Sequence, residues 1–479
     1  MSFGSSRTRC ALLLCALGVL TPAASLAAPT PQPSRQPVSA LGSLVQLPGR
    51  GGCLAGSRKP AAGCTRVRAL SGPGPFLGSH ALAISPNGKN VYVASSRSNA
   101  IAIFNRNART GGLTQRSGTA GCIALLGAGG CTKAVGLGVP NSVAVSADGK
   151  NVYATSLAGN AVVTFRRNPS TGTLTQLGNA TGCIANQPTT GCTTGRALDG
   201  PDAVAVSPDG TSVYAGVFAG SAIAVFSRNP STGALTQPAD ATGCVVNTPV
   251  AGCTTGLALG NPEGLVVSPN GNNVYVAAPG SNAVDTFTRN TFTGALTQAT
   301  DGTGCAVDIP VAGCTTGRQL VGSDAVAISP NGASVYVTSA VSNSLTTFAV
   351  AAPGGQLTQL SGTPACVVNL LAVGCSLARS LSDPEGLAVS PDGASVYAAA
   401  FQSNALDVFN RNGSSGAVTQ KPRAPGCLIG SATPSCLRGR ALLQASSVAV
   451  SPDGKNVYTA AFKSNAVGIF TRVTKVMTR

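Results

Sequence analysis

The sequence predicts an all-β protein: a seven-bladed β-propeller of four-stranded blades, closed by an N-terminal outer strand. Three observations predict it. The seven tyrosines of the chain, Tyr92, Tyr153, Tyr214, Tyr275, Tyr336, Tyr397 and Tyr458, are spaced 61 residues apart. Seven phenylalanines, Phe104, Phe165, Phe226, Phe287, Phe348, Phe409 and Phe470, keep the same step. Gly is abundant, Trp is absent, and no helical period appears, so the fixed repeat reads as stacked β units rather than helical ones.

The unit at 202–244 shows how one blade is built. "DAVAVS" is a strand of β-branched and small residues, and "SPDG" reverses the chain with Pro at the second turn position and Gly where positive φ is wanted. "TSVYAGVF" is the second strand, "AGSA" turns again, and "IAVFSRN" is the third. "PSTG" makes the last turn and "ALTQ" is a short outer strand. Tyr and Phe of each unit are expected in the core between blades. The Asp of "SPDG" (Asp209, Asp392, Asp453) reads as turn chemistry alone.

The order of segments follows. Arg7 and Arg9 precede an apolar run at 11–20 and small residues near Ala27 and Ala28, so 1–28 reads as a secretory signal, too short to span a membrane. Residues 29–42 form a Pro-rich linker, 43–472 the propeller and 473–479 a tail. No later stretch resembles a transmembrane helix. The seventh unit ends its third strand at Arg472, while "GSLVQLPGRGGC" at 42–53 mirrors "GTLTQLGNATGC" at 172–183. Residues 44–48 are therefore expected to complete the last blade and remove the open edges of the ring.

The stretch "AVSPDGKNVYTAAFKSNAVGIF" resembles the repeat of YVTN-type and lactonase-type (6-phosphogluconolactonase-like) seven-bladed propellers, and the resemblance covers roughly 80–472. It implies architecture more than function, because enzymes and binding or surface proteins share that repeat. Lactonase-like and lactonising propellers use histidine, glutamate and arginine around the central channel. The resemblance therefore implies catalytic roles for His80, Glu263 and Glu385, the positions here able to take them.

Beyond the signal, fourteen cysteines stand in seven pairs, one per unit. Cys53 goes with Cys64, Cys122 with Cys131, Cys183 with Cys192, Cys244 with Cys253, Cys305 with Cys314, Cys366 with Cys375, and Cys427 with Cys436. Even number, regular spacing and export point to disulfides, and with one histidine in the chain a zinc reading fails. Pairing within each loop is the natural connectivity; pairing between adjacent loops stays open. Each loop is expected on the ligand-binding face, as a staple for a long connection or as a rigid binding rim.

Four residues after the second cysteine stand Arg68, Val135, Arg196, Leu257, Arg318, Arg379 and Arg440. The five arginines would bind carboxylates or phosphates by paired hydrogen bonds, or else cap neighbouring carbonyls. A second periodic set, Arg106, Arg167, Arg228, Arg289, Arg411 and Arg472, reads as structural and solvated.

The position opening each inner strand breaks the repeat: His80, Asn141, Asp202, Glu263, Asp324, Glu385, Ser446. It is always polar, it holds the only histidine and both glutamates, and it should ring the channel mouth. Neighbouring carboxylates need a cation, arginines or raised pKa values. Asn141, Asp202, Glu263, Asp324 and Glu385 would offer Ca²⁺ or Mg²⁺ an oxygen-rich site. A perturbed carboxyl, or His80 as a base, would serve catalysis. Asp285 and Asp407, on the third strands of the two glutamate blades, read as a duplication relic.

The formal net charge of +17 suits an anionic ligand or a cell-surface polymer or protein, or reflects solubility alone. No basic cluster is interleaved with exposed aromatics, which argues against nucleic acid. The leading expectation is a secreted or extracytoplasmic, monomeric, non-catalytic propeller that binds a ligand or partner on its disulfide-stapled loop face. The alternative is a lactonase or cycloisomerase acting at the channel mouth, and a purely structural surface protein is a third reading.

Overall fold

A computed structural model describes residues 41–56, 63–73, 80–430 and 433–474. The expected signal, nearly all of the Pro-rich linker and most of the tail lie outside the described residues. No helix among the described residues is long and apolar enough to cross a membrane.

Seven sheets form the ring, and blade three shows their plan. Its inner strand, Pro201–Val206, pairs antiparallel with Ser212–Val217, which pairs antiparallel with Ala222–Arg228. Successive blades pack inner strand to inner strand around the circle, and Leu82–Ile84 of blade one also meets Ala445–Val450 of blade seven. The tyrosines and phenylalanines at the 61-residue step are fully buried. Blade seven closes as expected: Leu44–Gln46 pairs with Ala466–Arg472, with Leu44 opposite Arg472 and Gln46 opposite Phe470. Cys53–Ala55 then pairs with the start of the same strand.

The blades carry more strands than the four expected. In blade three the outer strand is two pieces: Leu235–Thr236 pairs with the end of the third strand, and Cys244–Val246 pairs with its beginning. Thr254–Thr255 then adds in parallel outside, giving six strands. The reason is local. Residues 238–243 bulge away in a 3₁₀ turn (Ala241–Gly243), and the Gln237 side chain takes the place of missing backbone pairing. Its Nε2 donates to the carbonyls of Gly243 (2.9 Å) and Arg196 (3.0 Å), while its Oε1 accepts from the Arg196 amide (2.7 Å). A primary amide has the donor and acceptor of a peptide group, so it stitches two blades as one more rung of a ladder. Gln46, Gln115, Gln176, Gln298 and Gln359 make the same link.

The disulfides pair within each unit and not between adjacent loops. The bridges are Cys53–Cys64, Cys122–Cys131, Cys183–Cys192, Cys244–Cys253, Cys305–Cys314, Cys366–Cys375 and Cys427–Cys436. Each staples the outermost strands of its blade: Cys244 opens one, and Cys253 immediately precedes the other. Cys131 and Cys375 likewise precede Thr132–Ala134 and Ser376–Leu377, while Cys314 opens Cys314–Thr316. Most of these cysteines are buried, while Cys192, Cys253 and Cys314 are half-buried. The loops share a face with the starts of the inner strands, because Pro201, Val217, Ala222 and Val246 follow one another across the sheet. They lie at its outer edge, away from the channel.

On the opposite face, the second arginine set is buried rather than solvated. Arg228 Nε donates to the Tyr153 hydroxyl of the preceding blade (2.7 Å), Nη1 to the Gly210 carbonyl (2.8 Å), and Nη2 to Asp148 (2.8 Å) and Asn151 (2.7 Å). The turn aspartates therefore do more than shape turns: Asp209, Asp392 and Asp453 form ion pairs with Arg289, Arg472 and Arg106. A buried guanidinium requires this many acceptors to offset its lost hydration.

Candidate functional site

Each inner strand contributes one polar side chain at its start, expected from the sequence to ring the channel mouth. Asn141, Asp202, Glu263, Asp324, Glu385 and Ser446 are all buried, and His80 is half-buried. Asn141 Nδ2 donates to Asp202 Oδ1 (2.5 Å). Glu263 and Asp324 are hydrogen-bonded to each other, so one of the two carboxyls holds the proton. Burial, together with the neighbouring acids, pushes Glu263, Asp324 and Glu385 far above the ordinary carboxylate range. Burial also raises Asp202, against the pull of the Asn141 hydrogen bond. Proton sharing is thus how the crowded acids avoid repulsion.

Asp383, two residues before Glu385, adds a fifth carboxyl, also raised by burial, whose charge acts on Glu263, Asp324 and Glu385. The sequence offered no signal for it beyond its place in "DPEGL".

The acids occupy blades three to six, while His80 stands on blade one. Burial pushes the His80 imidazole down to about 4, so it is neutral at pH 7. Among the described residues, no group of three or more His, Cys, Asp or Glu is arranged to hold a metal ion. The Ca²⁺ or Mg²⁺ expectation therefore has only the oxygen chemistry of the ring behind it. Unpartnered buried oxygens remain at Asn141, Asp324, Glu385 and Ser446.

The rim arginines take the capping role that the sequence also allowed. Arg196 donates to the carbonyls of Pro238 (2.8 Å), Ala239 (3.0 Å) and Asp240 (2.8 Å) in the next blade. Arg318 reaches Gly362 (2.9 Å), Val373 (3.3 Å) and Gly374 (3.0 Å) in the same way. Arg440 crosses the ring closure to Leu47, Gly49 and Gly63, and Arg68 and Arg379 likewise bond carbonyls of the following blade.

The disulfide loops carry what sequence reasoning missed. Their tips expose aliphatic side chains: Leu126 in blade one, Val250 in blade three, Ile309 in blade four, and Leu370, Leu371 (84 %) and Val373 (97 %) in blade five. The signal was present in "CVVNLLAVGC", an apolar run bracketed by cysteines. The rim also holds grooves between blades. One of about 870 Å³ is lined by Leu54, Arg66, Arg68, Thr110 and Gln115, and another of about 540 Å³ by Thr316, Arg318, Phe348 and Gln359. The channel carboxyls line neither.

A family model described as "Lactonase, 7-bladed beta-propeller" matches residues 185–316 and 306–433, together just over half of the chain. The chain belongs to that family. Solved structures similar to this lactonase-family propeller include a Lactobacillus plantarum protein (18 % identity, TM-score 0.51, covering 77 % of this chain and 86 % of that one). Kuenenia stuttgartiensis hydrazine synthase is another (15 %, 0.51, 84 % and 98 %). A periplasmic gluconolactonase from Pseudomonas aeruginosa also matches (22 %, 0.48, 70 % and 82 %). At these identities the likeness shows the fold alone. No curated protein matches. The seven disulfides fit an oxidising, extracytoplasmic environment.

Proposed function

We propose that this lactonase-family propeller is an exported, non-catalytic binding protein that holds a protein or cell-surface polymer on its disulfide-stapled face. The observation that carries the reading is the set of exposed aliphatic tips in the stapled loops, above all those of the consecutive blades three, four and five. Contiguous exposed apolar surface marks interaction sites. A cross-linked loop has little freedom left to lose, so a partner gains most of the burial energy of the tips. With the rim arginines bonded to carbonyls, their contribution to an anionic partner would be long-range charge rather than direct forks. The test is co-sedimentation of the purified mature protein with cell-envelope fractions, beside a Leu370→Ser/Leu371→Ser/Val373→Ser variant of unchanged melting temperature. Loss of association in the variant is expected; equal association would refute the reading.

A second reading, lactone hydrolysis or cycloisomerisation at the channel mouth, is favoured by the family and by the carboxyls that stay protonated near neutral pH. In it a protonated Glu263 or Glu385 donates to a leaving oxygen and neutral His80 accepts a proton from water. Ring opening of an aldonolactone, followed by pH-stat and lost in Glu263→Gln and Glu385→Gln, would establish it.

A further inference from the structure

The seven junctions on the face opposite the disulfides are not alike. At six of them an arginine ending a third strand donates its Nε to the tyrosine hydroxyl of the preceding blade. At the junction of blades four and five the tyrosine is Tyr275, and the position that should supply the guanidinium is Val350. A cavity of about 550 Å³ opens there, lined by Tyr275, Asn270, Asn273, Gly332 and Val350.

The walls of this cavity match those of a junction that does hold a guanidinium. Arg167 is bound by the Tyr92 hydroxyl (2.7 Å), the Gly149 carbonyl (2.8 Å), and the side-chain oxygens of Asn87 (3.3 Å) and Asn90 (2.6 Å). One repeat relation carries those residues onto Tyr275, Gly332, Asn270 and Asn273: tyrosine, glycine carbonyl and two asparagines, with no carboxylate in either set. The neutral set is therefore sufficient for a guanidinium in this protein.

The acceptors are also pre-positioned. The Tyr275 hydroxyl donates to the Gly355 carbonyl (2.9 Å), as Tyr92 does to Gly172 (2.8 Å) and Tyr153 to Gly233 (2.9 Å), which leaves its lone pairs turned to the cavity. Asn273 donates its Nδ2 to the Gly354 carbonyl (3.1 Å), as Asn151 does to Thr232 (3.2 Å). In Asn151 that orientation presents Oδ1 to Arg228. In Asn273 it presents Oδ1 to the cavity.

We propose that this cavity is a binding site for a guanidinium group, carried by a small alkylguanidine or by an arginine of another chain. A planar cation with donors in a fixed fork fits acceptors already arranged for one, and a point-charge ammonium fits them less well. The site is on the face away from the apolar loop tips, so its occupancy is independent of the partner proposed above.

Calorimetric titration of the full protein with agmatine, with an N-acetyl-Gly-Arg-Gly-amide peptide and with butylamine tests it. Saturable binding of one equivalent of guanidinium ligand is expected, with Kd on the order of 1–10 mM for so small a contact. Butylamine should bind at least about tenfold more weakly. Binding of the peptide without agmatine identifies an arginine of another chain as the source; binding of both admits the small molecule. Val350→Arg supplies the side chain from within, and should raise the melting temperature and abolish binding. Asn273→Leu removes one acceptor and should weaken binding should Val350→Arg fail to fold. Arg167→Val opens a second cavity of the same walls, and should raise the stoichiometry from one to two. Absence of saturable binding by the native protein up to about 100 mM ligand, or binding unchanged in folded Val350→Arg or Asn273→Leu, overturns the proposal.

Discussion

Asp407 allows the sharpest test of how this fold treats buried acids. Its Oδ1 accepts from Ser380 Oγ (2.6 Å) and Gln420 Nε2 (2.7 Å), while Oδ2 is buried with no partner. Burial pushes its pKa to about 7 from an ordinary value of 3.8, with the two hydrogen bonds and the nearby Arg379 charge only partly opposing it. The folded state therefore keeps the proton at pH values where the unfolded chain has lost it, and stability falls as pH rises from about 4 through about 7. The shift of roughly three units corresponds to about 4 kcal/mol lost by pH 8.5, an order-of-magnitude figure. Asp407→Asn keeps the shape and cannot ionise. The assay is urea unfolding followed by far-UV circular dichroism, since the chain has no tryptophan to report. At pH 4 the native protein should be the more stable by about 1–2 kcal/mol, because the amide brings two N–H donors where the carboxyl has one O–H. By pH 8.5 the difference should swing by about 4 kcal/mol, leaving the variant the more stable by roughly 2–3 kcal/mol. Distant acids titrate equally in both proteins and cancel in the difference. A difference that does not change between the two pH values would refute the reasoning.

Tyr153→Phe removes a hydroxyl that donates to Gly233 and accepts from buried Arg228, and should cost about 2–4 kcal/mol. Tyr275→Phe lacks the arginine term and should cost only about 1 kcal/mol, so unfolding midpoints of the two variants should rank in that order. Opening the Cys183–Cys192 bridge with paired serines releases a ring of about ten residues and should cost roughly 3 kcal/mol, seen as a lower melting temperature without loss of the sheet signal. Deleting the chain through residue 56 uncovers the whole outer edge of Ala466–Arg472, and light scattering should then detect self-association; a monomeric truncation would contradict the closure.

Features confined to one repeat were legible in the sequence; features made between repeats were less so. The tyrosine period announced seven blades, and the likeness of 42–53 to 172–183 placed the closing strand. The bulge in the outer strand was not legible, because its support is Gln237 bonding the main chain of Arg196 in the previous blade. The buried arginines looked solvated for the same reason. Apart from the Gly210 carbonyl in its own blade, the partners of Arg228 lie one blade back: Asp148, Asn151 and Tyr153 stand about eighty residues away. At the channel mouth the polar ring was legible from where the repeat varies, but its protonation depends on burial depth. Asp407 looked like an accident of duplication, yet it sits between Ser380 and Gln420. Gln420 gives one amide hydrogen to Asp407 and the other to Gly426, whereas the other six glutamines reach the carbonyl equivalent to that of Arg379.

The seventh blade is made from segments at opposite extremes of the repeat array, and that fixes an order of events. Leu44–Gln46 and Cys53–Ala55 leave the ribosome first, yet the strand they pair with is among the last to be made. Early blades can form hairpins as they appear, but each intermediate stays an open arc with an unpaired edge at one end and a waiting strand at the other. Closure thus requires the last strand: a chain cut short before Ala466–Arg472 has nothing to offer Leu44 and keeps its edge exposed.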